Sequence, residues 1–276
     1  MTYLMSAILG FVQGMAEFLP ISSSGHLTLL QHFFQLQQVD TLFNILLHFA
    51  TLLAVCIYYF QDVTEMVVEF FRWMGSLVSR RSSLGNAPEG RRLVLLVVVG
   101  TLPLLVVLPI KDKIEALGNR PEAVCIMLLI TGTILFLSDR MGRGYKSVRD
   151  TGIKDVLLIG LAQCLATAPG LSRSGCTISA GLARGLDRKF AVRYSFLLSL
   201  PAVLGATVLE VADVVSVGGL DTALLPVYLL GMVIAGVVGY FSIHLVNLLA
   251  AKGRFGSFAY YCWAAGLVFL GMSVLG

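Results

Sequence analysis

Apolar runs long enough to cross a lipid bilayer recur along almost all of this 276-residue chain. A spanning helix needs about 20 apolar residues, because the hydrocarbon layer is about 30 Å thick. Charged residues make up 13% of the sequence and hydrophobic residues 57%, so one soluble core cannot bury the apolar surface. Each run is predicted to be helical, since a lone strand would leave its backbone unpaired in lipid.

We predict an all-α polytopic membrane protein with about six full transmembrane helices. The six spans are residues 42–60, 93–110, 122–137, 190–210, 225–248 and 257–275. Residues 58–77 carry Glu65, Glu69 and Arg72 among apolar side chains. This pattern fits an amphipathic helix at the membrane surface, and it fits an extension of the first span equally well.

Two shorter apolar segments, residues 4–19 and 156–168, each break into a cluster of Pro, Ser and Gly. They are predicted to form re-entrant helical hairpins. Sliding the chain by 150 positions superimposes the two breaks. The identical pairs are Gly10 and Gly160, Gln13 and Gln163, Ala16 and Ala166, Ser22 and Ser172, Ser24 and Ser174, and Gly25 and Gly175. The sequence therefore predicts one membrane domain, residues 1–276, built of two repeats, about 1–138 and 151–276.

The distribution of basic residues predicts that the repeats are inverted. Most of the 20 lysines and arginines fall in loops on one side of the predicted spans, which the positive-inside rule places in the cytoplasm. The first hairpin then enters from outside and the second from the cytoplasm, and the loop carrying Asp213 and Asp221 faces outward. The net charge of +4 is read as a topology signal, and a nucleic-acid partner is not expected.

The first hairpin carries ionisable residues at membrane depth. Glu17 is the only acidic residue among the first 39, and His26 follows it across the break. Such groups are costly in lipid and indicate function. Gln13 and Glu17 are four residues apart and share a helix face, where they could bind a metal ion or contact a phosphate through that metal.

The second hairpin has the composition of an oxyanion site. Residues 169–177 place Arg173, several hydroxyls and backbone amides at the start of a short helix, where phosphate is favoured. The alternative is an ordinary helix break whose arginine reaches the membrane interface. In the span at 42–60, His48 and Thr51 fit either a cavity lining or helix packing.

These residues resemble the hallmarks of the undecaprenyl-diphosphatase family, also called bacitracin-resistance proteins. Its (Glu/Gln)-x-x-x-Glu motif followed by Pro-x-Ser-Ser-x-Gly-His is met by Gln13, Glu17, Pro20, Ser22, Ser23, Gly25 and His26. Its Pro-Gly-x-Ser-Arg-Ser-x-x-Thr motif is met by Pro169, Gly170, Ser172, Arg173, Ser174 and Thr177. The resemblance extends over the whole chain. Many members have Glu at the position of Gln13, and the family pattern admits Gln.

The resemblance implies hydrolysis of undecaprenyl diphosphate, with a divalent cation such as Mg²⁺ or Ca²⁺, in a bacterial inner membrane. This reaction recycles the lipid carrier of peptidoglycan synthesis and confers bacitracin resistance. The phosphate-binding residues would be Ser22, Ser172, Arg173, Ser174 and Thr177, and the metal ligands Glu17 and Gln13.

The catalytic residues would be His26, Glu17, Ser23 and Arg173. His26 is the first candidate for nucleophile or general base, because imidazole titrates near neutral pH. Ser23 is the rival nucleophile, with His26 as its base.

A transporter or flippase of a phosphorylated lipid is the alternative function, since broken helices in inverted repeats also build transport sites. Glu17 and His26 favour hydrolysis, which needs a base and a metal ligand. The expected partners are a polyprenyl diphosphate and membrane lipids. A homodimer is left open, and access to the site is expected from the outer side.

Overall fold

The computed structural model describes residues 1–33, 41–78, 88–141, 144–216 and 224–275. Within these ranges the chain is helical, and extended pairing is limited to one isolated bridge between Lys146 and Leu186. The α-helices are α1 Tyr3–Phe18, α2 Ser23–Phe33, α3 Thr41–Tyr58, α4 Phe60–Val78, α5 Glu89–Thr101, α6 Lys111–Glu115, α7 Pro121–Asp139, α8 Ile153–Leu165, α9 Arg173–Ala183, α10 Arg188–Ser216, α11 Leu225–Ala251 and α12 Phe258–Leu275. The predicted all-α class is confirmed.

The described helices include enough apolar length for a polytopic membrane protein. Five stretches are long and apolar enough to cross a bilayer: Glu89–Asn119, Pro121–Asp139, Arg188–Ala212, Leu225–Ala251 and Phe255–Ser273. A bent pair, Leu42–Tyr58 with Phe60–Gly75, makes up to six if it counts as one span. These segments coincide with the predicted spans.

The second predicted span, residues 93–110, is not one regular α-helix. The α-helix α5 ends at Thr101 and continues as two 3₁₀ turns, Leu102–Val106 and Leu108–Ile110. Pro103 and Pro109 explain the change, because a proline ring has no N–H to donate and clashes with the preceding turn of an α-helix. The two 3₁₀ turns therefore take the place of the end of an α-helix.

The helix α4 is not a straight extension of α3. The two helices are bent by 91° at Tyr59, so residues 60–78 do not continue α3 as a straight helix. On α4, Glu65 accepts a hydrogen bond from the backbone N–H of Gly90 at 3.0 Å. Glu69 pairs with Arg72 at 2.8 Å and with Arg91 at 3.2 Å. These contacts fix α4 to the start of α5, and its position at a membrane surface stays a prediction.

The two predicted hairpins are present as helix pairs, α1 with α2 and α8 with α9, and the helices of each pair contact each other. Corresponding helices begin 150 residues apart, and α2 and α9 are both 11 residues long. The breaks between the helices meet, because a Cβ on Gly25 would lie 3.0 Å from the Cα of Gly170. The repeat boundaries and their inverted orientation stay predictions.

Ion pairs join several of the loops that were assigned to the cytoplasm. Arg193 on α10 donates to Asp62 at 2.5 and 3.0 Å. Asp155 forms salt bridges with Lys146 at 2.8 Å and with Arg184 at 2.9 Å. Arg188 binds Asp139 at 2.7 Å. Because Arg188 and Arg193 lie in the first two turns of α10, these pairs form an ionic layer at one end of the bundle.

The structure describes only part of the two segments that are predicted to lie on the outer side. Asp213 lies in α10, which extends to Ser216, so the helix reaches further than the predicted 190–210. Asp221 and most of the segment 34–41 fall outside the described residues.

Glycines bring each hairpin close to a neighbouring helix. A Cβ on Gly10 of α1 would lie 3.0 Å from the Cα of Gly231 on α11. A Cβ on Gly160 of α8 would lie 3.2 Å from the carbonyl carbon of Gly100 on α5. Small residues allow such backbone approach between membrane helices. The same contact is thus made at corresponding positions of the two hairpins.

We expect Gly10→Ala and Gly160→Ala to lower the thermal unfolding temperature of the purified protein in detergent. The added methyl must push the neighbouring backbone away, which costs about 1–3 kcal/mol. Gly271→Ala on α12 is the matched control, since a Cβ there meets nothing within 4 Å. If the two hairpin variants unfold at the same temperature as the control, the close contacts do not contribute to stability.

Candidate active site

A cavity of about 470 Å³ lies where the two helix breaks meet. Its polar end is lined by residues of both breaks: Glu17, Ser22, Ser23, Ser24, Ser172 and Arg173. Its apolar wall comes mainly from the 3₁₀ segment and α10, including Leu104, Leu105, Leu108, Pro201, Val203 and Leu209. The cavity thus combines a charged, hydroxyl-rich end with a hydrocarbon wall.

Glu17, which is 8% exposed, is the centre of the polar end. One carboxylate oxygen pairs with the guanidinium of Arg173. The other accepts hydrogen bonds from the hydroxyl of Ser23 at 2.7 Å and from the side-chain nitrogen of Gln13 at 3.0 Å. A buried charge needs such partners. The first hairpin therefore provides the anion and the second provides its cation.

The helices after the two breaks are capped by the same arrangement. Ser22 accepts a hydrogen bond from Gly25 N–H at 3.2 Å, and Ser172 accepts one from Gly175 N–H at 3.0 Å. A serine cap satisfies an otherwise unpaired amide of the first turn. Ser22 adopts a left-handed backbone with φ of 69°, which a non-glycine residue rarely does. This strained turn places the following residue, Ser23, beside Glu17.

The second break is held by α7. The hydroxyl of Thr131 donates to the carbonyl of Gly170 and accepts from the N–H of Ser172, each at 3.1 Å. Gly170 has a φ of +97°, and a Cβ there would also collide with α7. Both constraints require glycine at this position. Arg173, at the first position of α9, is thereby fixed opposite the first break.

The structure brings five of the predicted site residues together at the cavity: Glu17, Ser22, Ser23, Ser172 and Arg173. Ser174 and Thr177 are not among the residues that line it. The hydroxyl of Ser174 lies 3.2 Å from that of Ser172. Thr177 bonds the carbonyl of Arg173 at 2.8 Å and the hydroxyl of Ser195 at 2.6 Å. These two residues support α9 from behind the cavity.

His26 is placed away from the carboxylate. Its Nδ1 lies 2.8 Å from the carbonyl of Ser22, and its Nε2 lies 2.8 Å from the hydroxyl of Tyr261. Its ring also stacks on Tyr261 with centroids 5.6 Å apart. His26 is not among the cavity-lining residues. In this geometry it joins α2 to α12, and the hydrogen-bond partner of Ser23 is Glu17.

His48 lines the cavity, which decides between the two readings of this residue. Its Nδ1 lies 2.9 Å from the carbonyl of Asn44, so Nδ1 carries the hydrogen and Nε2 is the free nitrogen. Nε2 lies 3.8 Å from the carboxylate of Glu17. Thr51 instead bonds the carbonyl of His48 at 2.8 Å and is buried. The sequence signal for His48 was a histidine inside an otherwise apolar span.

The donor set fits a cation that arrives with phosphate better than a resident ion. Among the residues described, no group of three or more His, Cys, Asp or Glu side chains could hold a metal ion. Gln13 turns its nitrogen toward Glu17, and its carbonyl oxygen has no partner. One carboxylate and nearby hydroxyls suit Mg²⁺, which usually keeps waters and binds through one or two carboxylates and substrate phosphates.

The cavity extends away from the ionic layer. Its lining continues from Glu17 to Lys111 and Ile114 on α6 and to Glu210 on α10. Glu210 lies about 33 Å along α10 from Arg188, at about 1.5 Å per residue. The cavity therefore reaches toward the end of the bundle opposite the ionic layer.

Comparison with known proteins gives matches over nearly the whole chain. Residues 6–268 match the family model described as bacitracin resistance protein BacA. A protein of Desulforapulum autotrophicum named undecaprenyl-diphosphatase is 41% identical over 269 residues, 95% of each chain. Proteins of the same name are 38% identical in Alkaliphilus metalliredigens, over 100% of each chain, and 36% identical in Methanosphaera stadtmanae, over 99% of this chain and 98% of that one.

Proposed function

Because the chain belongs to the bacitracin resistance protein BacA family, we propose that it hydrolyses undecaprenyl diphosphate to undecaprenyl phosphate and inorganic phosphate. The observation that carries this proposal is the contact of Glu17 with both Ser23 and Arg173 at the polar end of the cavity. A nucleophile, a base and a phosphate-binding cation are thereby adjacent. The apolar wall beside them suits a prenyl chain.

Ser23 is the nucleophile in this proposal. Its hydroxyl donates to Glu17 at 2.7 Å, and the carboxylate can take the proton as Ser23 oxygen attacks the terminal phosphorus. The bond from that phosphorus to the bridging oxygen breaks, and undecaprenyl phosphate leaves with the proton that Glu17 returns. Water then attacks the phosphorus of the phosphoserine and gives a proton to Glu17. The bond from phosphorus to the Ser23 oxygen breaks, and Glu17 passes the proton to that oxygen, which restores Ser23 and releases inorganic phosphate.

Arg173 stabilises the phosphoryl group during transfer. A guanidinium has five N–H donors in a planar fork, so it can keep one bond to Glu17 and direct others to phosphate oxygens. Its charge lies where negative charge spreads over the transferring group. Ser22 and Ser172 hold the two breaks in shape through their caps. His48 lines the cavity beside Glu17, with its Nε2 3.8 Å from the carboxylate.

A divalent cation, Mg²⁺ or Ca²⁺, is part of the proposal. Glu17 would hold it together with oxygens of the diphosphate, and Gln13 would position Glu17 through its hydrogen bond. When bound, the cation neutralises charge on the diphosphate.

Access from the outer side of a bacterial inner membrane completes the proposal. The basic ionic layer belongs in the cytoplasm by the positive-inside rule, and the cavity extends toward the other end. The enzyme would then recycle carrier lipid that is released by polymerisation of the cell wall on the outer leaflet.

The reaction is tested with purified protein in detergent, undecaprenyl diphosphate and Mg²⁺, with released phosphate as the measurement. We expect turnover that a chelator abolishes. Arg173→Lys should lose about a hundredfold or more in rate, because lysine keeps the charge but lacks the fork. Arg149→Lys on the exposed loop is the matched control. Absence of phosphate release with any divalent ion, together with lipid transfer between leaflets of vesicles, would favour the carrier function instead.

Gln13→Glu is expected to lower the Mg²⁺ concentration needed for half-maximal rate. Two carboxylates at positions 13 and 17 repel each other unless a cation lies between them, so binding of the cation becomes more favourable. Gln61→Glu, which adds the same charge on an exposed part of α4, serves as the control. An unchanged or raised Mg²⁺ requirement would place position 13 outside the ligand shell of the cation.

Membrane orientation is tested by cysteine labelling, after the five native cysteines are replaced. Lys113→Cys on α6 should react with a membrane-impermeant thiol reagent in intact cells. Lys154→Cys, at the start of α8 near the ionic layer, should react only after permeabilisation. Both lysines are exposed, so they differ in location rather than accessibility. The reverse pattern would contradict outward access.

A further inference from the structure

Gln163 is buried in α8 with its whole side-chain amide unpartnered. It is 1% exposed, and neither its nitrogen nor its oxygen has a hydrogen-bond partner among the described residues. Gln163 also lines the cavity, together with Ala166 and Thr167, which directly follow α8. Its burial therefore places an unsatisfied donor and acceptor at the wall of the candidate active site.

Gln163 differs from its counterpart Gln13 in one respect. Gln13 donates to Glu17, four residues later on α1. In the second hairpin the position four residues after Gln163 is Thr167, whose hydroxyl bonds the carbonyl of Cys164 at 2.7 Å. The duplication therefore retains the amide but not the carboxylate that pairs with it.

An amide without protein partners in this place is costly unless a ligand or water in the cavity satisfies it. Each buried unpaired donor or acceptor destabilises the fold by about 1–3 kcal/mol. Lipid tails cannot supply a partner, because they carry no hydrogen-bonding groups. The other polar groups of the cavity include Arg173, Ser172 and Ser23, which select an anion rich in oxygen atoms.

We propose that Gln163 is a substrate-binding residue whose side-chain N–H₂ donates to a non-bridging oxygen of the bound diphosphate. The proposal rests on the proposed function, since it assigns a further contact within the same site. Gln163 comes from the same hairpin as Arg173, so the second hairpin binds the diphosphate by a neutral and a cationic donor. The first hairpin then supplies Ser23 and Glu17.

Gln163→Met is the test, because methionine has a similar length and volume but no hydrogen-bonding amide. We expect kcat/KM for undecaprenyl diphosphate to fall by about ten- to a hundredfold, the range for a hydrogen bond to a charged group. The inhibition constant for inorganic pyrophosphate should rise in the same variant. The unfolding temperature without substrate should stay the same or increase, because an unsatisfied polar group has been removed from the interior.

Ser179→Ala is the matched control for stability. Ser179 on α9 is also buried with an unpartnered oxygen, and it is not among the cavity-lining residues. This variant should keep the wild-type kcat/KM. If Gln163→Met also keeps it within about twofold, or changes the lipid kinetics without changing pyrophosphate inhibition, the contact to the diphosphate is overturned.

Gln163→Glu covers the case in which the methionine variant does not fold. Glutamate has the same size and is polar, but its negative charge should repel the diphosphate. Pyrophosphate should therefore inhibit the folded variant more weakly than it inhibits the wild type. Equal pyrophosphate inhibition would contradict the inference. An inactive wild-type protein would refute the proposed function itself, whereas an active wild type with unaffected position-163 variants would refute only the role of Gln163.

Discussion

The ion pair between Glu17 and Arg173 is the constraint on which the rest of the site depends. Each partner would be costly alone at membrane depth, so the two hairpins that carry them must meet. The meeting point is made possible by Gly25 against Gly170, where side chains would keep the breaks apart. The caps at Ser22 and Ser172 then orient the helices that follow. Charge compensation and backbone proximity thus act at the same place.

The fold was largely predictable from hydropathy, because lipid leaves a helix as the only stable form for an isolated apolar segment. The helix pairs α1–α2 and α8–α9 were predictable from their short length and their Pro, Ser and Gly breaks, and their re-entrant course stays a prediction. The early end of α5 was missed although Pro103 and Pro109 are visible in the sequence. An apolar run and a regular helix are different properties, and the prolines affect only the second.

The site was predictable in composition and less so in arrangement. The motifs identified Glu17, Ser23 and Arg173, which the structure places in contact. They did not separate residues that line the cavity from residues that do not, such as Thr177 and His26. The residues of one motif lie on different sides of a helix, so only some of them can face the cavity. His48 lies on α3 and Gln163 on α8, and neither belongs to the motif residues that identified the site. Their relevance depends on tertiary packing, which spacing along one helix does not contain.

The length of α10 has a consequence for how the protein sits in a bilayer. Its 29 residues span about 43 Å, whereas the hydrocarbon layer is about 30 Å thick. Its first two turns belong to the ionic layer and take up about 12 Å of that length, so the remaining 21 residues, about 31 Å long, match the thickness of the hydrocarbon layer. Leu209 and Glu210, which line the cavity, then lie about 21 Å from the ionic layer along the helix axis, within the half of the hydrocarbon layer that is further from it. A lipid in that leaflet would therefore enter the cavity from the side, with its tail still among its neighbours.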